Sequence, residues 1–145
     1  MNRNEKLYKA LERVVDLDAV RENRFDAAKS KVAGFMDLNF DYLHGNELSA
    51  RIALSHYYRQ NGDMVPDPDM EILVRFDREE AEALTFQDVY GFSTVEAGSP
   101  EGRRKASARI NSFLAFWLDN LHHQGHRIDE AAANCNSTCS RVSSL

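Results

Sequence analysis

The sequence predicts an α+β domain, an antiparallel sheet of about five strands with an N-terminal and a C-terminal helix on one face. Three observations lead there. Apolar residues recur at helical spacing near both ends of the chain, they alternate with polar ones between Met36 and Phe76, and turn residues punctuate that alternation. A first amphipathic helix is expected from Asn4 to Glu22, where Leu7, Leu11 and Val14 mark successive turns and Lys6, Lys9, Glu12 and Arg13 take the other side. A short helical stretch from Arg24 to Ala33 should end at Gly34. Met36, Leu38, Phe40 and Tyr42 then alternate with Asp37, Asn39 and Asp41, a half-buried strand, and His44-Gly45-Asn46 is turn chemistry.

Leu48, Ala50, Ile52 and Leu54 give the next inward column, continuing to His56 and Tyr58. The stretch from Asn61 to Asp69 reads as a loop, because Pro66 and Pro68 have no amide to donate to a ladder. Met70, Ile72, Val74 and Phe76 form a third strand, and charged Arg78 to Ala83 fits one helical turn. Thr85-Phe86-Gln87 and Phe92 to Val95 are two more strands, joined through Asp88-Val89-Tyr90-Gly91. The closing helix is the clearest element. Ile110, Phe113, Leu114, Trp117, Leu118 and Leu121 fall on one face, and Gly125 supplies a C-cap. Residues 1–128 thus form one domain, and the Ala-, Asn- and Ser-rich residues 129–145 are expected to be a disordered tail.

The chain of 145 residues carries a net charge of −5, unevenly spread. Residues 1–34 hold eight Lys and Arg against six Asp and Glu, residues 35–101 hold four against fourteen, and residues 102–145 hold six against three. A centre this acidic repels phosphate backbones, so direct nucleic-acid binding through it is excluded and a partner with a basic surface is favoured. No apolar run approaches the roughly 20 residues of a membrane span, and the N-terminus lacks the apolar segment of a signal peptide. Cys135 and Cys139 both lie in the polar tail, which leaves no disulfide framework. A cytoplasmic setting, no membrane contact and no cofactor are the expectations.

The richest chemistry lies between Ser55 and Glu71. His56, Tyr58, Asn61, Asp63, Asp67, Asp69 and Glu71 are the candidate binding residues. The carboxylates of Asp63, Asp67, Asp69 and Glu71 could hold a hard divalent cation, although the spacing is not that of a calcium loop. The same group with His56 as acid or base and Asp69 as ligand would suit phosphoester hydrolysis. The bland reading is a solvated turn whose Asp side chains satisfy loop amides. His122 and His126 stand at zinc-ligand spacing, but Gly125 intervenes. Arg103, Arg104, Lys105 and Arg109 form a basic patch opening the last helix, and Phe116 points off its apolar stripe, where with Phe35 or Tyr90 it could mark an interface.

Three phrases occur in order: HYYRQNGDMVPDPDMEI from His56, TFQDVYGF from Thr85, and NSFLAFWLDNLHHQG from Asn111. Together they resemble a family of small uncharacterised bacterial proteins, a domain of unknown function often carried by plasmids and phages. The likeness covers Phe35 to Gly125, and the Arg78 to Ala83 insert departs from it. It implies a mobile-element accessory protein and supplies no catalytic residues. The leading expectation is a non-enzymatic protein-interaction module, inhibitory to a host nucleic-acid or defence enzyme. The alternative is a divalent-metal-dependent phosphoester hydrolase using the Asp63–Glu71 acidic stretch. A homodimer is compatible with either.

Overall fold

The computed structural model describes residues 1–133. Cys135, Cys139 and the expected disorder of residues 134–145 lie outside the described residues. Helix α1 (Arg3–Glu12) starts in a reciprocal cap, in which Asn2 accepts from the Glu5 amide and Glu5 accepts from the Asn2 amide. The expected long first helix breaks after it. Val14 and Val15 are fully buried, and their backbone binds Ile128 instead of continuing the helix: Ile128 donates to Val14 and Asp16 donates to Ile128. Asp16 then caps the short α2 (Leu17–Arg21).

The second expected helix is a strand, β1 (Ala27–Ser30). Its backbone pairs with β2 (Leu38–Gly45) from Ala27 opposite Asp41 to Ser30 opposite Leu38, and that ladder overrides the helical preference of its alanines. Strands β3 (Ser49–Gln60), β4 (Asp63–Arg75), β5 (Glu80–Asp88) and β6 (Gly91–Thr94) complete a six-stranded antiparallel meander in sequence order. The α+β architecture stands, with β1 as the additional strand.

Two further expectations are corrected. The stretch from Asn61 to Asp69 is mostly sheet, since β4 begins at Asp63 and only Asn61 and Gly62 turn the chain. Both have positive φ, 54° and 87°, as a two-residue hairpin turn with right-handed strand twist demands. The prolines fit because the ladder bulges there. Ser55 faces Asp69 and Tyr57 faces Pro66, so Asp67 and Pro68 together oppose the single residue His56. The charged Arg78–Ala83 segment completes a turn over residues 76–79 and then enters β5, where Ala81 and Ala83 are buried.

Helix α3 (Pro100–Gln124) is capped by Ser99, and it ends at the expected C-cap, Gly125, in the left-handed region, φ 91°. With α1 it covers one face of the sheet. Ile52, Leu54, Met70 and Ile72 from the strands meet Leu114, Leu118 and Leu121 from α3 and Leu11 from α1 in one core. Ordered structure runs past the expected boundary at residue 128. Asp129 accepts from the Ala132 amide in a final helical turn, and Ala133 is buried.

Candidate binding cleft

Alternation sends neighbouring residues of a strand to opposite faces, so the stretch that looks continuous in sequence is divided in space. Asn61 and Asp63 sit exposed at the β3–β4 hairpin, and Tyr58 reaches back to Gln60 at 3.5 Å. Asp69 and Glu71 point to the face opposite the helices. There the Tyr57 hydroxyl donates to Asp69 (2.7 Å), and Arg51 clamps Glu71 through Nε (2.7 Å) and Glu96 through both Nη atoms (2.9 and 2.7 Å). His56 and Asp67 lie elsewhere, on the helix-covered side at the end of the sheet.

The acid–base pair of the hydrolase alternative is therefore separated, with His56 on one face and Asp69 on the other. The four-carboxylate cation site is dispersed as well, and Glu71 is already paired with Arg51. Among the described residues no group of three or more His, Cys, Asp or Glu side chains converges on a point where a metal would fit. His122 and His126 also fail to meet, because Gly125 ends the helix and turns His126 into the core, leaving His122 exposed.

The outer face is electrostatically tense. Burial first, and the Asp69 charge second, push the Asp41 carboxyl above its usual range. Burial and the bond to Asp69 raise the Tyr57 phenol likewise. The bond to Arg51 holds Glu96 below the usual carboxylate range.

On the helix side, the bulge opens a cleft of about 430 Å³. Trp117 and Phe113 on α3 form one wall, their centroids 6.2 Å apart, and Phe113 is braced edge-on by Phe86 at 5.0 Å. Phe35 and Met36, from the β1–β2 connection, form the other rim, and Phe35 is 49% exposed. Pro68 adds apolar surface, while Asp67, Asn120 and Gln124 contribute polar groups. Phe116, 63% exposed, extends the aromatic surface beyond Phe113 at 6.3 Å. Tyr90, its other suggested neighbour, lies at the tip of the β5–β6 hairpin.

His56 is the hinge of this arrangement. Its ring meets Trp117 edge-on at 5.4 Å, and its Nδ1–H donates to the Asp37 carbonyl (2.8 Å), tying the Phe35–Met36 rim to β3. Behind it, 5.9 Å away, is His126, only 2% exposed. Ser30 Oγ lies 2.9 Å from His126 Nδ1 and accepts from the Arg127 amide, while Nε2 has no hydrogen-bond partner among the described residues. Burial, and next the neighbouring His56, hold the His126 pKa below the usual histidine value; the Met36 backbone and the Asp37 charge pull the other way.

Sequence reasoning placed two cleft residues, His56 and Asp67, in its candidate set. It assigned Phe113 and Trp117 to a core stripe and passed over Asn120 and Gln124. No signal in one sequence marks which core aromatic borders a cavity.

A family model described as a domain of unknown function, DUF6908, matches residues 9–127. No curated protein and no solved structure matches the chain. Among the described residues no helix is long and apolar enough to cross a membrane.

Proposed function

The chain belongs to the DUF6908 family, whose model spans most of its length, and we propose that it is a non-enzymatic protein-interaction module. In this reading it is a small acidic cytoplasmic protein whose cleft receives a side chain from a partner with a basic surface. The observation that carries it is the cleft itself, an aromatic-walled opening with a carboxylate beside it and no nucleophile or metal-ligand set within it. The fourteen acidic residues against four basic ones between residues 35 and 101 support a basic partner. The resemblance to plasmid- and phage-borne proteins supports a place as a mobile-element accessory, with inhibition of a host nucleic-acid or defence enzyme as its role.

A peptide-display selection on the purified protein tests this, each recovered peptide being re-measured against Phe35→Ala and Gln124→Ala variants. Both substitutions are at half-buried or exposed rim positions and leave the core intact. Recovered peptides should bind these variants at least about tenfold more weakly, the loss of roughly 1.4 kcal/mol expected for an interface anchor. Peptides that bind both variants as tightly as the parent would overturn the cleft as the contact site. Mn²⁺-dependent turnover of a phosphodiester, abolished by Asp69→Asn, would overturn the non-enzymatic reading altogether.

A further inference from the structure

The walls of the cleft define what it can take. An aliphatic guest would be served by Trp117, Phe113, Phe35, Met36 and Pro68, but would strand the Asp67 carboxylate and the amide oxygens of Asn120 and Gln124 against an apolar surface. An anionic guest would meet Asp67 directly. A cation suits this aromatic and polar lining: aromatic rings attract positive charge, the carboxylate neutralises it, and amide oxygens accept its protons. Among the described residues no Lys or Arg lines the cleft to fill that role from within.

Between the two basic side chains, arginine fits better. Its planar guanidinium stacks on an aromatic face while its N–H fork engages a carboxylate and neighbouring acceptors, and its three-carbon stem covers apolar surface. Lysine offers one compact, strongly hydrated charge that gains less from a flat aromatic wall. A cleft of about 430 Å³ has room for such a side chain with a short stretch of backbone at the mouth.

We propose that the cleft between α3 and the β4 bulge is an arginine-binding site, with Asp67 pairing the guanidinium and Trp117, Phe113 and Phe35 packing against it. This deepens the interaction-module reading and rests on it for the source of the arginine, a partner protein. It assigns separate tasks to the cleft residues: Asp67 selects charge, the aromatic walls select a flat group, and Asn120 and Gln124 orient it.

Trp117 is the sole tryptophan of the chain and stands in the cleft wall, so its fluorescence reports occupancy without a label. The probes are N-acetyl-arginine methylamide, the corresponding lysine compound, and the citrulline compound, a neutral near-isostere of arginine. A probe this small makes few contacts, so saturation in the millimolar range is expected for arginine. The citrulline probe should bind at least about tenfold more weakly and the lysine probe should fall between. Asp67→Asn should weaken the arginine probe by a similar factor, while Asp63→Asn, the same charge change at the exposed hairpin, should leave it unchanged.

Citrulline binding as tight as arginine, or equal losses in the two Asp variants, would overturn the assignment, as would the absence of any saturable change. The two readings fail separately. Cleft-dependent display peptides that lack arginine would sink the arginine site and keep the interaction module. A saturable arginine probe with no cleft-dependent peptide would sink the module and leave a site for a small guanidinium compound.

Discussion

The sheet contains three bulges, and two of them, on β4 and β5, are treated in opposite ways. On β5, Leu84 is the extra residue between the pairs Glu71–Thr85 and Ile72–Ala83. Asn111 of α3, 1% exposed, closes that defect. Its Oδ1 accepts from the Ala83 amide (2.7 Å), and its Nδ2 lies 3.4 Å from the Ala83 carbonyl and donates to Ser107 of its own helix (2.9 Å). On β4, Asp67 and Pro68 together face the single residue His56, and among the described residues no helix side chain binds their backbone. Proline brings no amide to satisfy, Asp67 remains exposed, and the space beneath becomes the cleft. A bulge filled by a helix side chain docks the helix; a bulge made self-sufficient by proline leaves room for something else.

The closed bulge should be where stability is most vulnerable. Asn111→Leu keeps a similar volume but removes the acceptor of the Ala83 amide, and a buried donor left unpaired costs about 1–3 kcal/mol. A loss of that size is expected, read as a fall in the urea midpoint without a change in slope. A loss under about 1 kcal/mol would show that the amide is not what seats α3 on β5. The effect should be the same at pH 5 and pH 7.5, because neither an amide nor a leucine titrates.

The region behind the open bulge should differ in that respect. His126 is held neutral by burial and by His56, so its pKa in the folded protein lies below its unfolded value. Between those two values the unfolded chain binds more protons, so stability falls as pH drops below the ordinary histidine value of about 6.5 and levels off below the folded one. One proton contributes at most about 1.4 kcal/mol per pH unit over that window. Comparing urea denaturation at pH 7.5 and pH 5 in the parent and in His126→Phe isolates the term. The parent should lose more stability than the variant, with an equal loss in both assigning the acid sensitivity elsewhere. His56, Asp37 and the Met36 backbone are the groups facing His126, and Asp37→Asn should enlarge the parent's loss by removing the charge that favours the imidazolium.

These two regions were unequally legible in the sequence. The α3 stripe and its C-cap, Gly125, follow from helical period and turn chemistry, and the strand columns from Met36 to Phe76 follow from alternation. Asn61-Gly62 also carried its hairpin signal, yet Pro66 and Pro68 argued for a loop; prolines are compatible with a strand at a bulge, and a bulge depends on the partner strand's register. Ala27–Ser30 looked helical because alanine and lysine favour helix, and only pairing with Leu38–Asp41 makes it a strand. Within the candidate set, chemistry alone grouped His56 with Asp67, Asp69 and Glu71. The bulge and the period of two then sent the last two to the far face, where Tyr57 and Arg51 occupy them. Asn111 was one more polar residue in a helix until Leu84 created the backbone groups it binds.

The smallest stability effect should come from the residue that matters most to the open bulge's proposed role. Asp67 is exposed, and the described residues include no hydrogen bond or ion pair from its carboxylate. Asp67→Asn keeps the backbone, the preceding-proline geometry and the side-chain shape, so unfolding free energy should stay within about 0.5 kcal/mol of the parent. Asn111→Leu should show the reverse profile, with a large stability loss and, below its lowered midpoint, an intact cleft. Measuring both variants for urea midpoint and for arginine-probe affinity separates a residue that holds the fold from one that faces a partner. Should Asp67→Asn cost more than about 1 kcal/mol, its carboxylate is anchoring the bulge itself, and the contrast between a closed and an open bulge fails.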